Sequence, residues 1–231
     1  DNADKPSLSV STTEVVEGGY AVFNIQLSNP STQDVTFDLT PKEGTATQDD
    51  YSSIVEVSYD GGVTWTPASE AIIPAGKTQI LARVQTTQDD IDELVEKFTL
   101  TADITSGNTT NVSSTGTASI LDNDGEPQIV ISDSSVNEED GLLTFVVSLS
   151  NPSSNVVTVN YVTADGTAIA GSDYVSSTGT ITFAPGETSK IITVAVLDDN
   201  VFENPESMYV NLLNPTNSTI ADAQGEGRIL D

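Results

Sequence analysis

Apolar residues alternate with polar ones at Leu143, Phe145, Val147 and Leu149, again at Ile192, Val194 and Val196, and again at Met208, Val210 and Leu212. A period of two is that of a strand burying one face, and helical spacing is nowhere sustained. In the second half the alternation is broken by Gly, Pro, Asn and Asp turn residues, which predicts strands near 127–132, 142–149, 156–163, 179–184, 189–197, 206–213 and 226–230. That number and spacing suit an immunoglobulin-like sandwich.

The first half repeats the landmarks of the second in the same order. Phe23-Asn24-Ile25-Gln26-Leu27-Ser28-Asn29-Pro30-Ser31 returns as Phe145-Val146-Val147-Ser148-Leu149-Ser150-Asn151-Pro152-Ser153. Gly44-Thr45-Ala46 with Asp50-Tyr51 returns as Gly166-Thr167-Ala168 with Asp173-Tyr174, and Ile120-Leu121-Asp122 returns as Ile229-Leu230-Asp231. The 231 residues therefore read as all-β, two tandem immunoglobulin-like β-sandwich domains over 1–124 and 125–231. Asp1, Asp122 and Asp231 fall at equivalent junctions, the pattern expected of an excerpt from a longer array whose neighbouring repeats are its first partners. The first repeat is longer around Tyr59-Asp60-Gly61-Gly62-Val63-Thr64-Trp65, where Asp-Gly between β-formers signals a hairpin. Either Trp65, the only tryptophan, packs on the sheet, or Trp65, Tyr59 and Asp60 present themselves to a glycan or peptide.

Charge narrows the chemistry. With 35 acidic and 7 basic residues the formal charge is −28, which repels nucleic acid and anionic lipid and favours cations. Neither Cys nor His is present, so thiolate chemistry, disulfides, a His-based triad and the commonest transition-metal ligand are all absent. No apolar run approaches the length of a membrane span, so no direct membrane insertion is expected.

The acids concentrate at loop positions that recur. In the second repeat they are Glu138 or Glu139, Asp173, the run Asp198-Asp199-Asn200-Val201-Phe202-Glu203, then Glu206 and Asp231. In the first they are Glu17, Asp50 beside Asp49, Asp89-Asp90-Ile91-Asp92-Glu93, Glu96, and Asp122 with Asp124. A sandwich brings such loops to one pole. Two unit charges about 4 Å apart then cost on the order of 4 kcal/mol at an effective dielectric near 20, a conflict that a bound cation resolves. Ca2+, which takes six to eight oxygens in tolerant geometry, fits better than Mg2+. The bland alternative is that these acids solvate loops and cap turns.

Gly166-Thr167-Ala168-Ile169-Ala170-Gly171-Ser172-Asp173-Tyr174, Phe183-Ala184-Pro185-Gly186-Glu187-Thr188 and Asp198-Asp199-Asn200-Val201-Phe202-Glu203-Asn204-Pro205-Glu206 together resemble the Calx-beta repeat of sodium/calcium exchangers, integrin β4 and large bacterial surface adhesins. The resemblance implies calcium ligands at Glu138, Asp173, Asp198, Asp199, Glu203 and Asp231. In the more divergent first repeat it implies Glu17, Asp50, Asp89, Glu93, Asp122 and Asp124, with Gln88 standing where Asp198 predicts a carboxylate. The implied role is non-enzymatic: a calcium-stiffened extender at a cell surface, extracellular, in millimolar calcium. Its alternatives are a recognition module for a cell-surface or glycan ligand through the Trp65 hairpin, and a calcium-sensor pair like that of the exchangers.

Two other readings of the acids fail. An EF-hand at Asp122-Asn123-Asp124-Gly125 lacks its glycine, since Pro127 stands there, and lacks a closing Glu. Glycoside hydrolysis needs a buried carboxyl paired across a cleft, for which strung-out loop acids give no sign. The sequons at Asn108, Asn111 and Asn217 argue for exposure at most.

Overall fold

The computed structural model describes residues 5–198 and 202–230. They form two compact units, one of residues 5–89 with 94–123, the other of 124–198 and 202–230 with 90–93.

In the first unit one sheet has the order β1 (Leu8–Val10), β3 (Tyr20–Leu27), β8 (Gln79–Thr86), β5 (Tyr51–Ser58) and β6 (Thr66–Pro67). The other runs β2 (Thr13–Val16), β10 (Ser113–Leu121), β9 (Glu96–Ser106), β4 (Val35–Glu43) and β7 (Glu70–Ile73). Alternation puts Phe23 and Ile25 from one sheet against Phe37, Phe98 and Leu100 from the other in a single apolar core. Phe23 meets Phe98 edge-on, with centroids 6.1 Å apart, so an aromatic pair joins the two layers.

The second unit repeats this plan with β16 (Ser189–Ala195), β13 (Leu142–Leu149), β11 (Gln128–Ile131) and β18 (Thr219–Ile220) in one sheet. The facing sheet holds β12 (Ser134–Asn137), β19 (Gln224–Leu230), β17 (Glu206–Thr216), β14 (Val157–Asp165) and β15 (Thr178–Phe183). Phe145, Val147, Phe183, Met208 and Val210 fill the layer between them. All seven strands expected from alternation are found, and two more join them. The four-residue β12 runs parallel to β19 and half-buries Ser134 and Val136, so it has a single apolar residue on its inner side, while β18 has two residues. Neither carries an apolar alternation to read.

The Asp-Gly hairpin is present, with Glu56 opposite Pro67 and Val57 opposite Thr66. Its turn places Gly61 and Gly62 at φ 78° and 94°. Asp60 organises it: the carboxylate accepts the Thr64 hydroxyl at 2.6 Å, the Thr64 and Val63 amides and the Ser58 hydroxyl. Those donors, the Thr64 hydroxyl first, hold the Asp60 carboxyl well below its usual range. A carboxyl depressed in the folded state stabilises above its unfolded value of 3.8, and that contribution is lost as pH falls further, through the folded value. A carbon-13 titration should therefore show no Asp60 inflection near 3.8 in the folded chain; an ordinary midpoint would mean the loop does not grip the carboxylate.

Trp65 lies against the sheet. The Arg83 guanidinium lies over the Trp65 ring at 4.3 Å and over the Tyr20 ring at 3.9 Å and is bonded to Glu56 at 2.7 Å. The indole N–H donates to the Gly62 carbonyl. Tyr59 is exposed, its hydroxyl accepting the Ile72 amide at 3.4 Å.

The sequons divide. Asn111 is not a free surface amide: it accepts the Leu8 amide and donates to the Leu8 and Ser113 carbonyls, tying β1 to the start of β10. Asn217, at φ 52°, donates to the Val156 carbonyl.

Candidate metal centre

Two short motifs, present in both repeats, position the acids. In Gly166-Thr167-Ala168 each residue has a separate task. A Cβ on Gly166 would come within 2.4 Å of the Ser207 carbonyl, so only glycine lets the loop lie against β17. The Thr167 hydroxyl accepts the Ser207 amide, Ala168 donates its amide to the Ser207 carbonyl, and the Ala168 methyl is buried. Gly44-Thr45-Ala46 does the same against Lys97 of β9, with the same 2.4 Å approach. The loop is thus riveted beside Glu206, the first residue of β17, or beside Glu96, the first of β9.

The Asp-Tyr pair then separates core from pole. Adjacent residues in extended chain point oppositely. Tyr51 and Tyr174 are each 1% exposed, Tyr51 stacked on Phe98 at 4.2 Å and Tyr174 donating its hydroxyl to Asp165 at 2.6 Å. Burial, followed by the Asp165 hydrogen bond, pushes the Tyr174 phenol up to about 12. With the ring anchored inside, the preceding Asp faces outward. Asp173 accepts the Ile169 amide at 2.6 Å and Asp50 accepts the Thr47 amide and hydroxyl, so both also cap their own turns. The turn-capping reading is correct as far as it goes.

It does not go far enough for the second unit, where Asp173, Glu203 and Glu206 offer carboxylate oxygens that all lie within 4.8 Å of one another. Burial pushes the Glu206 carboxyl up, reinforced by the charge of Asp173, a hydrogen bond with it, and the charges of Glu203 and Glu138. Every one of those influences raises it. Glu138 opens a single 3-10 turn, Glu138–Asp140, and is 9% exposed. Asp198 is exposed and outside the trio, and Asp199 and Asp231 lie outside the described residues. Glu206 belongs to the acidic constellation in the sequence but not to the ligand set the resemblance implies. Its position, opening a strand beside the riveted loop, is the signal that could have promoted it.

In the first unit Glu17, 8% exposed, and Asp89 have carboxylate oxygens within 4.8 Å, as do Asp50 and Glu96. Gln88 changes the electrostatics here. Its amide donates to Glu17 at 2.7 Å and to the Asp89 carbonyl at 3.0 Å, while its oxygen accepts from Asn123. A neutral donor thus satisfies Glu17. Glu93 groups by contact with the second unit, as does Asp124. Asp122 is half-buried, and the Asp124 Oδ2 atom is shielded from solvent without a hydrogen-bond partner.

These donors suit a hard cation. All are oxygens, and two oxygens on one calcium at 2.3–2.6 Å lie at most about 5.2 Å apart, a span the second-unit trio satisfies. A shielded acceptor without a donor, as at Asp124, is the kind of group a cation completes.

The profile of the Calx-beta domain matches residues 1–126 and again 122–228. Sodium/calcium exchanger 2 of Homo sapiens is 49% identical over 67 residues, covering 29% of this chain and 7% of the exchanger. Sodium/calcium exchanger 1 of Canis lupus familiaris is 48% identical over 71 residues, 31% of this chain and 7% of that protein. The match thus spans about 7% of the length of these curated relatives. Among solved structures, the apo-form Calx CBD1 domain is similar at 31% identity and a TM-score of 0.45, over 46% of this chain and 98% of that one. CBD12 from CALX1.2 is similar at 16% identity and a TM-score of 0.44, over 96% and 99%. With both halves matched by one family profile, the chain belongs to the Calx-beta family and carries two of its domains in tandem.

Proposed function

We propose that this chain binds calcium, and that the second unit holds the better-formed site through Asp173, Glu203 and Glu206 with Glu138 beside them. The observation that carries this reading is the convergence of three carboxylate oxygens from two separate segments within 4.8 Å. Family membership supports it. A bound ion supplies positive charge where acids otherwise repel, so it draws the Asp173 loop and the Glu203–Glu206 segment together and stiffens that pole. Isothermal titration of the chelated chain with calcium, with magnesium as control, tests it; no calcium-selective heat up to about 10 mM, ten times the weak end of the extracellular range, would remove it.

The reading extends to a calcium-stiffened extender in an extracellular adhesin-type array, which the tandem repetition and the oxygen-only site support. The identity to sodium/calcium exchangers favours a second reading, a calcium sensor. Affinity separates them: a dissociation constant of about 10⁻⁴–10⁻³ M suits an extracellular module, and about 10⁻⁷–10⁻⁵ M suits a sensor.

Gln88 should weaken the first unit's response, because its amide already neutralises the hydrogen-bonding demand of Glu17. Gln88→Asp is expected to lower the melting temperature in chelator and to enlarge the calcium-dependent rise. A rise no larger than that of the unsubstituted chain would show that Gln88 is not what weakens the first-unit site.

A further inference from the structure

The turn Ser28-Asn29-Pro30-Ser31 of the first repeat and its counterpart Ser150-Asn151-Pro152-Ser153 are built alike. In each, the first serine donates its hydroxyl to the asparagine side-chain oxygen, at 2.9 Å and 2.7 Å. In each, the last serine is almost fully buried, 6% and 2% exposed, and its hydroxyl oxygen accepts the amide two residues on, from Gln33 and from Asn155, at 3.1 Å. The carbonyl of that serine accepts a glycine amide, from Gly76 at 2.9 Å and from Gly186 at 3.0 Å. One set of bonds thus frames both turns.

Their partners differ. Residues 90–93 belong by contact to the second unit, and there Asp92 lies across the turn. The Asp92 amide donates to the Pro152 carbonyl at 3.0 Å, the Asp92 carbonyl accepts the Ser154 amide at 2.9 Å, and its carboxylate accepts the Ser153 hydroxyl at 2.7 Å. The Ser154 hydroxyl adds a 3.2 Å bond to the same carbonyl. The result is a one-residue parallel bridge locked by a charge-assisted bond. Asp92 is not one of the calcium ligands the resemblance implies, so this is a separate task. In the first unit the equivalent groups are the Pro30 carbonyl, the Thr32 amide and hydroxyl, and the hydrogen of the Ser31 hydroxyl. Among the described residues none of these has a hydrogen-bond partner, and Pro30 and Thr32 are exposed.

We propose that the Ser31 turn docks the acidic loop of another Calx-beta repeat, the counterpart of the β8–β9 connection, with an aspartate at the position of Asp92. The second unit supplies the template, in which the amide, carbonyl and carboxylate of one aspartate are all bonded, so that residue type and chain direction are both selected. Charge favours an acidic partner. Lys77 directly follows Gly76, whose amide is bonded to the Ser31 carbonyl, and Lys77 forms no ion pair among the described residues. Asp34, three residues beyond Ser31, has one oxygen bonded to the Ala75 amide at 2.8 Å. A second copy of this chain is a poor donor. Its own Asp92 is engaged, and in the second repeat the matching position is Phe202, which is 87% exposed and has no carboxylate.

The test appends a copy of residues 89–94, Asp-Asp-Ile-Asp-Glu-Leu, to the amino terminus of the full chain through a flexible glycine-serine linker. Docking then becomes intramolecular, at an effective concentration of about a millimolar. The Ser7 amide is bonded to the Ser28 hydroxyl at 3.0 Å, so the linker starts near the turn. Hydrogen exchange is read in chelator, to keep calcium out of the result, at the Thr32 amide with the Ser154 amide as internal reference. In the unmodified chain Ser154 should exchange slowly and Thr32 quickly. The appended segment should slow Thr32 by at least about threefold, the effect of two-thirds docking. The segment with Asp92→Ala should not slow it, and Ser31→Ala in the chain should abolish the effect of the intact segment. If Ser31→Ala does not fold, the alanine segment carries the control. Unchanged Thr32 exchange overturns the proposal, and fast exchange at Ser154 removes its template. Thr32 protection that grows with the concentration of the unmodified chain overturns it in favour of a second copy.

Discussion

Glu206→Gln should raise the melting temperature of the chelated chain and, in the same protein, abolish the rise that calcium produces. The two effects have opposite signs because one carboxylate serves two states. Without an ion, Glu206 is held partly out of water against Asp173, Glu203 and Glu138, and its charge is a burden on the folded form. The isosteric amide removes that burden. With an ion, the same oxygen is a ligand and its loss weakens binding. A ligand that binds only the folded state stabilises it by about 2.7 kcal/mol at a hundred times its dissociation constant, and that increment should disappear in the variant. Melts in chelator and in graded calcium measure both. A variant destabilised in chelator would mean Glu206 makes net favourable contacts there, and a variant keeping the full calcium shift would take Glu206 out of the site.

Gly166→Ala should destabilise the second unit by about 1–3 kcal/mol, because the added methyl meets a backbone carbonyl, that of Ser207, at 2.4 Å and neither strand nor loop can give way freely. Displacing the loop also moves Asp173 away from Glu206, so calcium affinity should fall with stability. Gly125→Ala is the matched control: a Cβ there meets nothing within 4 Å, and its effect should be near zero. Denaturant unfolding with calcium titration of both variants gives the comparison. Equal stability of the two would show that the loop can retreat from β17 without cost.

Much of the site was legible because strand periodicity and the internal repeat are local signals. The Asp-Tyr pairs announce a residue turned inward beside one turned outward, and the recurrence of acids at matching loops singles out Asp173 and Glu203 before any coordinates. Glu206 was harder to rank: its place at the start of a predicted strand sets it apart from Glu203 but does not by itself say that it meets Asp173. Only the close approach of the Gly166 loop to Ser207 brings Asp173 beside it. The role of Gln88 was visible as a departure from pattern, but its bond to Glu17 spans 71 positions and exists only in the folded chain. Trp65 shows the converse: an aromatic in an Asp-Gly hairpin admits two readings, and the Arg83 stack that covers one ring face comes from a strand 18 positions away.

The sequence alone determined that the chain is all-β, that it is two copies of one plan, that its stability rests on packing without disulfides, and that its acids gather at recurring loops, since each of these follows from composition or short-range order. Tertiary structure decided which acids meet and which neutral group stands in for a ligand. Those outcomes depend on the through-space distance between segments far apart in the chain, which short-range order does not fix.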